Sequence, residues 1–222
     1  MSCNKNPLKI KKMFNEISLY YDKMNNCISL GTHKFIKYLA IRELNIKPRS
    51  LVLDLCCGTG DFSEIIMKRF PRVKVIGLDF SPEMLKIAKQ KNPNGVFMQG
   101  DCTKLPFSDN EFKYITMGFG LRNIERHYLA LSEIYRVLDK DGKFLHLDFG
   151  KHNFISNIFD KIVPFMVKVI GENPDHYKYL LESKHEFPEP ERLIKEIESH
   201  GFIHRKTCNY LFGAISAQIF QK

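Results

Sequence analysis

The chain has 222 residues, 44% of them hydrophobic and 27% charged, which suits one well-cored domain and is short for two. Six cysteines without C-x-x-C spacing argue against a zinc site or a disulfide scaffold, and no internal repeat or low-complexity tract is present. The formal net charge of +9 suits an anionic partner, either nucleic acid or a membrane surface, although solvated lysines explain it equally well.

The opening Met1–Asn6 leads into Lys9, Lys11 and Lys12 rather than an apolar run, so a cytoplasmic location is expected. Residues 8–24 space Ile10, Met13, Phe14, Ile17, Tyr20 and Tyr21 at helical intervals among lysines, predicting an amphipathic arm that covers a pocket or touches lipid headgroups. A loop is expected at Asn25-Asn26-Cys27 and Gly31, then a second helix from about Lys34 to Leu44, closed by Lys47-Pro48. Residues 1–48 thus read as a helical cap on a core spanning 49–150.

The core opens on the stretch with the strongest signal, Ser50-Leu51-Val52-Leu53-Asp54-Leu55-Cys56-Cys57-Gly58-Thr59-Gly60-Asp61. An apolar strand breaks on two glycines and passes into a helical pattern at Phe62, Ile65 and Ile66, the layout of a nucleotide or nucleoside cradle. Gly58 and Gly60 let a ligand lie against the main chain. The dinucleotide fingerprint is incomplete, because Ser63 stands where its third glycine belongs. Carboxylates at Asp54 and Asp61 repel a pyrophosphate and favour a cation, which points to the sulfonium of S-adenosylmethionine.

A second strand, Val73 to Asp79, places an acidic residue 21 positions after Gly58, where it can accept both ribose hydroxyls. Ser81-Pro82 starts the next helix. A third strand, Val96 to Gly100, runs into Asp101-Cys102, where an adenine edge can be read. The fourth, Tyr114 to Met117, ends at Gly118-Phe119-Gly120-Leu121-Arg122-Asn123; glycines there allow close approach, and a cation and an amide stand ready for a substrate oxygen. Capping roles for Arg122 and Asn123 compete with this reading. A helix from His127 to Leu138, a turn at Asp139-Lys140-Asp141-Gly142 and a strand from Lys143 to Asp148 complete the alternation of a doubly wound, mostly parallel sheet.

Residues 151–189 read as an apolar insertion, densest from Asn153 to Gly171, interrupted by Asp160, Lys161, Pro164 and Lys168 and so a poor transmembrane span. It lines a pocket for an apolar substrate or packs as core. The final part, 190–222, is a helix from Pro190 to His200 and an antiparallel pair, Phe202–Tyr210 with Ala214–Phe220.

With these pieces assembled, the chain resembles the ubiquinone/menaquinone biosynthesis C-methyltransferases. The likeness rests on Met13-Phe14-Asn15-Glu16-Ile17, on Tyr21-Asp22-Lys23-Met24-Asn25, on Phe119-Gly120-Leu121-Arg122-Asn123, and on Tyr177 through Ser183. It implies a class I, Rossmann-like fold with a seven-stranded, mostly parallel sheet, helices on both faces and an N-terminal helical lid. It implies S-adenosylmethionine contacts at Thr59, Asp79, Asp101 and Cys102, with Arg122 and Asn123 at a polyprenyl quinol. Cys56-Cys57 and Gly118 resemble the menaquinone branch, while Phe149-Gly150-Lys151-His152 departs from the usual Phe-Ser-Lys-Pro. The implied reaction methylates a ring carbon of 2-demethylmenaquinol. A ubiquinone-pathway quinol, an RNA substrate and a non-catalytic binding role are the rivals, and a homodimer is left open. His33, His146, Tyr21 and Asp148 are the candidates for a base. The lack of Trp and of an aromatic-basic RNA string argues against a nucleic-acid partner.

Overall fold

The computed structural model describes residues 5–170 and 174–222, with side chains described for 5–164 and 178–222. The strands are β1 (Leu51–Leu55), β2 (Lys74–Asp79), β3 (Val96–Gln99), β4 (Phe112–Gly118), β5 (Leu138–Phe149), β6 (Ile203–Tyr210) and β7 (Ile215–Gln221). They form one sheet in the order β3-β2-β1-β4-β5-β7-β6. All neighbours from β3 to β5 are parallel, and β7 runs antiparallel to both β5 and β6. The expected seven-stranded, mostly parallel sheet is therefore present. Because β1 pairs with β2 on one side and β4 on the other, the winding reverses there, and a crevice opens beyond the carboxyl ends of these strands.

Strand residues alternate between two cores. Leu53, Leu55, Ile115, Met117 and Phe144 pack beneath α5 (His127–Val137) and α8 (Pro190–Glu198). Val52, Tyr114, Leu145 and Leu147 pack beneath α2 (Thr32–Glu43) and α3 (Asp61–Arg69). Burial on both faces explains why the strands read as continuous apolar runs.

Three sequence expectations change. The first helix, α1 (Pro7–Ser29), continues through the expected loop at Asn25-Asn26-Cys27. Met24 and Ile28, one turn apart, pack with Val163, Phe159 and Leu180, and this burial overrides the weak helix propensity of two asparagines. Leu30, at φ 50°, ends the helix with Gly31, whose amide donates to the Asn26 carbonyl at 2.9 Å. The expected turn at Asp139–Gly142 is instead a bulge inside β5: the register jumps from Phe112–Leu138 to Tyr114–Lys143, and Asp141 takes φ 58°. The expected insertion forms two helices, α6 (Phe154–Ile170), with Pro164 inside it, and α7 (Pro174–Glu186). Buried Lys184 of α7 pairs with Asp160 of α6. The apolar side chains expected from Phe165 to Ile170, with Gly171 and Tyr177, lie outside the described residues.

Phe144 is fully buried, its ring 5.8 Å from that of Phe202 and 6.1 Å from that of Phe220. Replacing it with alanine should cost about 3–5 kcal/mol of unfolding free energy by denaturant titration; a loss below about 1 kcal/mol would show that this core repacks freely.

Candidate active site

Two adjoining cavities occupy the crevice. The first, about 150 Å³, lies at the ends of β1, β2 and β4 and is lined by Gly58, Leu78, Asp79, Asp101, Cys102 and Gly118, among others. The second, about 130 Å³, is largely apolar, with Ile17, Met24, Ile28, Phe149, Phe159 and Leu180 in its walls beside His33, Arg122 and Tyr179. Phe14, Tyr21, Phe119 and Asn123 line both. A molecule in one cavity is therefore separated from a molecule in the other by side chains of α1 and the loop after β4.

The loop after β1 is shaped from behind and from the side. Asp54, wholly buried, accepts the Ser63 amide at 3.0 Å, the Ser63 hydroxyl at 2.7 Å and the Thr116 hydroxyl at 2.9 Å. Burial pushes its pKa up to about 6 against these donors. Asp79 at the end of β2 accepts the Gly58 amide at 2.8 Å through one oxygen and the Ser81 amide at 2.9 Å through the other, and burial raises its pKa too. Gly58 stands at φ 54°, and a Cβ built there would meet nothing within 4 Å. Its amide is held while its α-carbon faces open space, which is what a ligand lying on bare main chain requires.

Several expected site residues are placed differently. Asp54 and Gly60 do not line the first cavity: Asp54 is spent on tying β1, α3 and β4 together, and Gly60 at φ 84° serves as the start of α3. Thr59 is buried and donates to Asp22 of α1 at 2.5 Å, facing the cap instead of the cavity. Asp61 also lies away from it, so the carboxylates that line this cavity are Asp79 and Asp101, not the expected Asp54 and Asp61. Gly118 lines the cavity, but a Cβ there would come within 2.4 Å of the Phe62 ring, so close packing on α3 already demands glycine.

Arg122 lines the second cavity yet is only 5% exposed. Its Nη1 donates to the Phe119 carbonyl at 2.9 Å and to Asp148 at 2.7 Å, and the guanidinium lies 5.0 Å from the Phe149 ring centre. Its charge is thus partnered before any substrate arrives. Asn123 donates to the same Phe119 carbonyl at 3.1 Å and accepts the Tyr179 hydroxyl at 3.0 Å, which orients the amide. Phe119 takes φ 58° and Cys56 φ 52°; both border the first cavity, where such uncommon backbone angles often serve a site. Of the candidate bases, His33 and Tyr21 line the second cavity. Asp148 is buried against Arg122, and His146 is buried against Gln218 with its pKa lowered by burial, and neither lines either cavity.

Helix α1 is fastened to the core by an ionic cluster that sequence reasoning did not assemble. Lys91, at the end of α4 (Pro82–Lys91), donates to Asp22 and to Asp61, each at 2.8 Å, and Lys37 of α2 donates to Asp61 at 2.8 Å. Burial works to raise the Asp61 pKa, but the ammonium groups of Lys37 and Lys91 bonded to it outweigh that and hold the carboxyl well below the usual carboxylate range. Asp22 was visible within its motif; nothing in local pattern links it to Lys91, 69 residues away. Tyr179 likewise appeared only within a motif, without a role.

A sheet wound in this order, with paired cavities at the carboxyl ends of its parallel strands, is the class I methyltransferase architecture. Solved structures share it: a SAM-dependent methyltransferase from Thermotoga maritima superposes with TM-score 0.71 at 17% identity, covering 95% of this chain and 99% of that one. One from Aquifex aeolicus gives TM-score 0.66 at 17% identity, covering 90% and 97%. Sequence comparison goes further, because the profile of the ubiE/COQ5 methyltransferase family matches residues 2–222. The chain belongs to that family. Among its relatives, the demethylmenaquinone methyltransferase of Staphylococcus carnosus is 34% identical over 96% of this chain and 93% of its own length, and that of Staphylococcus aureus is 32% identical over 100% and 97%.

Replacing Asp61 by asparagine removes the charge that Lys37 and Lys91 share, and should cost about 3 kcal/mol of stability near neutral pH. Because the folded carboxyl titrates below its ordinary value of 3.8, this contribution is complete above that pH and is lost as pH falls beneath it. The stability gap between native and D61N protein, followed by chemical unfolding, should therefore narrow as pH falls below about 4; a gap independent of pH would contradict the ionic account.

Proposed function

We propose that the chain methylates a ring carbon of a reduced polyprenyl naphthoquinol, converting 2-demethylmenaquinol to menaquinol with S-adenosylmethionine as methyl donor. The observation that carries this reading is the pair of cavities with one common wall: an acid-edged cradle on bare main chain beside an aromatic, largely apolar chamber. The names of the two staphylococcal relatives support the choice of acceptor.

The first cavity suits a nucleoside with a cationic tail. Open space at Gly58, carboxylates at Asp79 and Asp101, and apolar Leu78, Phe80 and Met84 match a sugar, a positive charge and a base in turn. In this reading Asp79 takes the ribose hydroxyls with the lone pairs that Gly58 and Ser81 leave free, and Cys102 borders the adenine. When bound, the cofactor supplies an electrophilic methyl group on a sulfonium. The protein's own task is alignment and activation of the ring. Phe119 and Phe149 flank the acceptor, Asn123 offers its remaining amide hydrogen to a ring oxygen, and the Arg122–Asp148 pair provides a polarised but compensated charge nearby.

Such an acceptor resides in lipid, and we place the enzyme transiently at an anionic membrane face. Phe154 is 75% exposed and Phe212 94% exposed. They are neighbours, since Asn153 donates to the Phe212 carbonyl at 2.8 Å, and Ile215 just beyond lines the acceptor chamber. Among the described residues no helix is long and apolar enough to cross a membrane.

Purified protein supplied with methyl-labelled cofactor and chemically reduced demethylmenaquinone should yield labelled menaquinol; label in RNA alone would overturn the reading. Asp79→Ala should weaken cofactor binding about 10- to 100-fold by calorimetry, the value of one charged hydrogen bond. Arg122→Ala and Asn123→Ala should retain that affinity while turnover falls by about tenfold or more. Binding to vesicles containing anionic lipid should decline as salt rises and weaken in a Phe154→Ser/Phe212→Ser variant; salt-independent binding, or none, would remove the membrane contact.

A further inference from the structure

The hydrogen bonds around His33 determine where its ring carries a proton. The Ser29 hydroxyl lies 2.6 Å from the Asn25 carbonyl, an oxygen that only accepts, so the single hydroxyl hydrogen is committed there. The contact of 2.7 Å between Ser29 Oγ and His33 Nδ1 must then run the other way, with Nδ1–H donating. In the neutral ring this leaves Nε2 as a bare lone pair.

That lone pair has no hydrogen-bond partner, although His33 is only 8% exposed. The nearest carboxylate oxygen, on Asp61, is 3.7 Å away, too far for a hydrogen bond. His33 also lines the acceptor chamber. The ion cluster that His33 borders through Asp61 is charge-balanced: Asp61 from α3 and Asp22 from α1 carry two negative charges, and Lys37 from α2 and Lys91 from α4 carry two positive ones. An oriented imidazole with an idle lone pair, a counter-charge within reach and a wall of the substrate chamber is what a general base requires.

We propose that His33 is the base that accepts the hydroxyl proton of the acceptor ring, an assignment that rests on the phenolic acceptor proposed above. The O–H bond breaks, an Nε2–H bond forms, and the electron pair stays on the ring oxygen, raising electron density at the carbon to be methylated. Carbon–carbon bond formation is balanced by cleavage of the carbon–sulfur bond, whose electron pair remains on sulfur. The ring then loses its own hydrogen to recover aromaticity while its oxygen regains a proton from Nε2, so the base is reset and one proton per turnover passes to water. The other ionisable residues of the chamber are less suited: Tyr21 and Tyr179 are phenols no more basic than the substrate, Lys37 is paired with Asp61, and Arg122 is paired with Asp148.

The test is His33→Asn, which keeps a donor for Ser29 and deletes Nε2. Native enzyme should lose kcat/KM for reduced demethylmenaquinone on the acid side of its pH profile. The variant should bind cofactor as tightly as native protein by calorimetry, turn over about 100-fold more slowly, and lack that acid limb, its residual rate rising with pH as the ring hydroxyl ionises unaided. A kcat within about threefold of native, or a retained acid limb, overturns the assignment. Should His33→Asn fail to fold, judged by lost cofactor binding, Ser29→Ala decides: releasing the ring lets its proton move to Nε2, so kcat should fall about three- to tenfold with KM and cofactor affinity unmoved, and an unchanged kcat overturns the assignment. Native protein that binds cofactor but methylates no quinol would instead defeat the functional reading, and this inference with it.

Discussion

The bond between the Asp79 carboxylate and the Gly58 amide joins the end of one strand to the loop that follows its neighbour, and the site depends on it. A hydrogen bond to a charged acceptor contributes about 1.5–3 kcal/mol, enough to hold a glycine at φ 54° that nothing packs against from the cavity side. Asp54 fixes the same loop from behind by accepting the first turn of α3 and a hydroxyl of β4. Two carboxylates thus shape the cradle, and only Asp79 lines its cavity. Their energetic cost appears as raised pKa values, and burial at the switch point of the sheet is its cause.

The second requirement is a roof. Helix α1 supplies Phe14 and Tyr21 to both cavities, so neither chamber has its shape unless that helix is seated. Hydrophobic contact at Met24 and Ile28 seats one end on α6 and α7. The ionic cluster of Asp22, Lys91, Asp61 and Lys37 seats the middle, and its charges cancel, so strong local pairing does not impose a strong field on the neighbouring chamber. A compensated interior suits a reaction in which a cation is consumed and an oxyanion forms briefly.

What the sequence revealed follows the range of the forces involved. Strand ends, glycine turns and helix caps are local, and Gly58, Asp79, Asp101, Cys102 and Gly118 were legible in linear pattern because each closes a βα unit at the same sheet edge. The direction of a side chain is not local. Asp54, Thr59 and Gly60 belong to the same motif, yet the first two turn toward protein partners and the third serves the helix start, since a strand-to-helix turn must satisfy its own buried amides before it can serve a ligand. Asn25-Asn26-Cys27 suggested a loop by composition, and tertiary burial of Met24 and Ile28 made it helix. Pairings such as Lys91 with Asp22, or Tyr179 with Asn123, join residues 69 and 56 positions apart and leave no periodic trace.

The account holds that an acid-edged nucleoside cradle and an oily aromatic chamber, divided by Phe119 and its neighbours, serve one transfer of a methyl group to a quinol ring. The most direct measurement is the mass spectrum of the quinone pool in cells lacking this chain. The account predicts naphthoquinones short of a single methyl group, restored by the native chain. A fully methylated pool in its absence would contradict it.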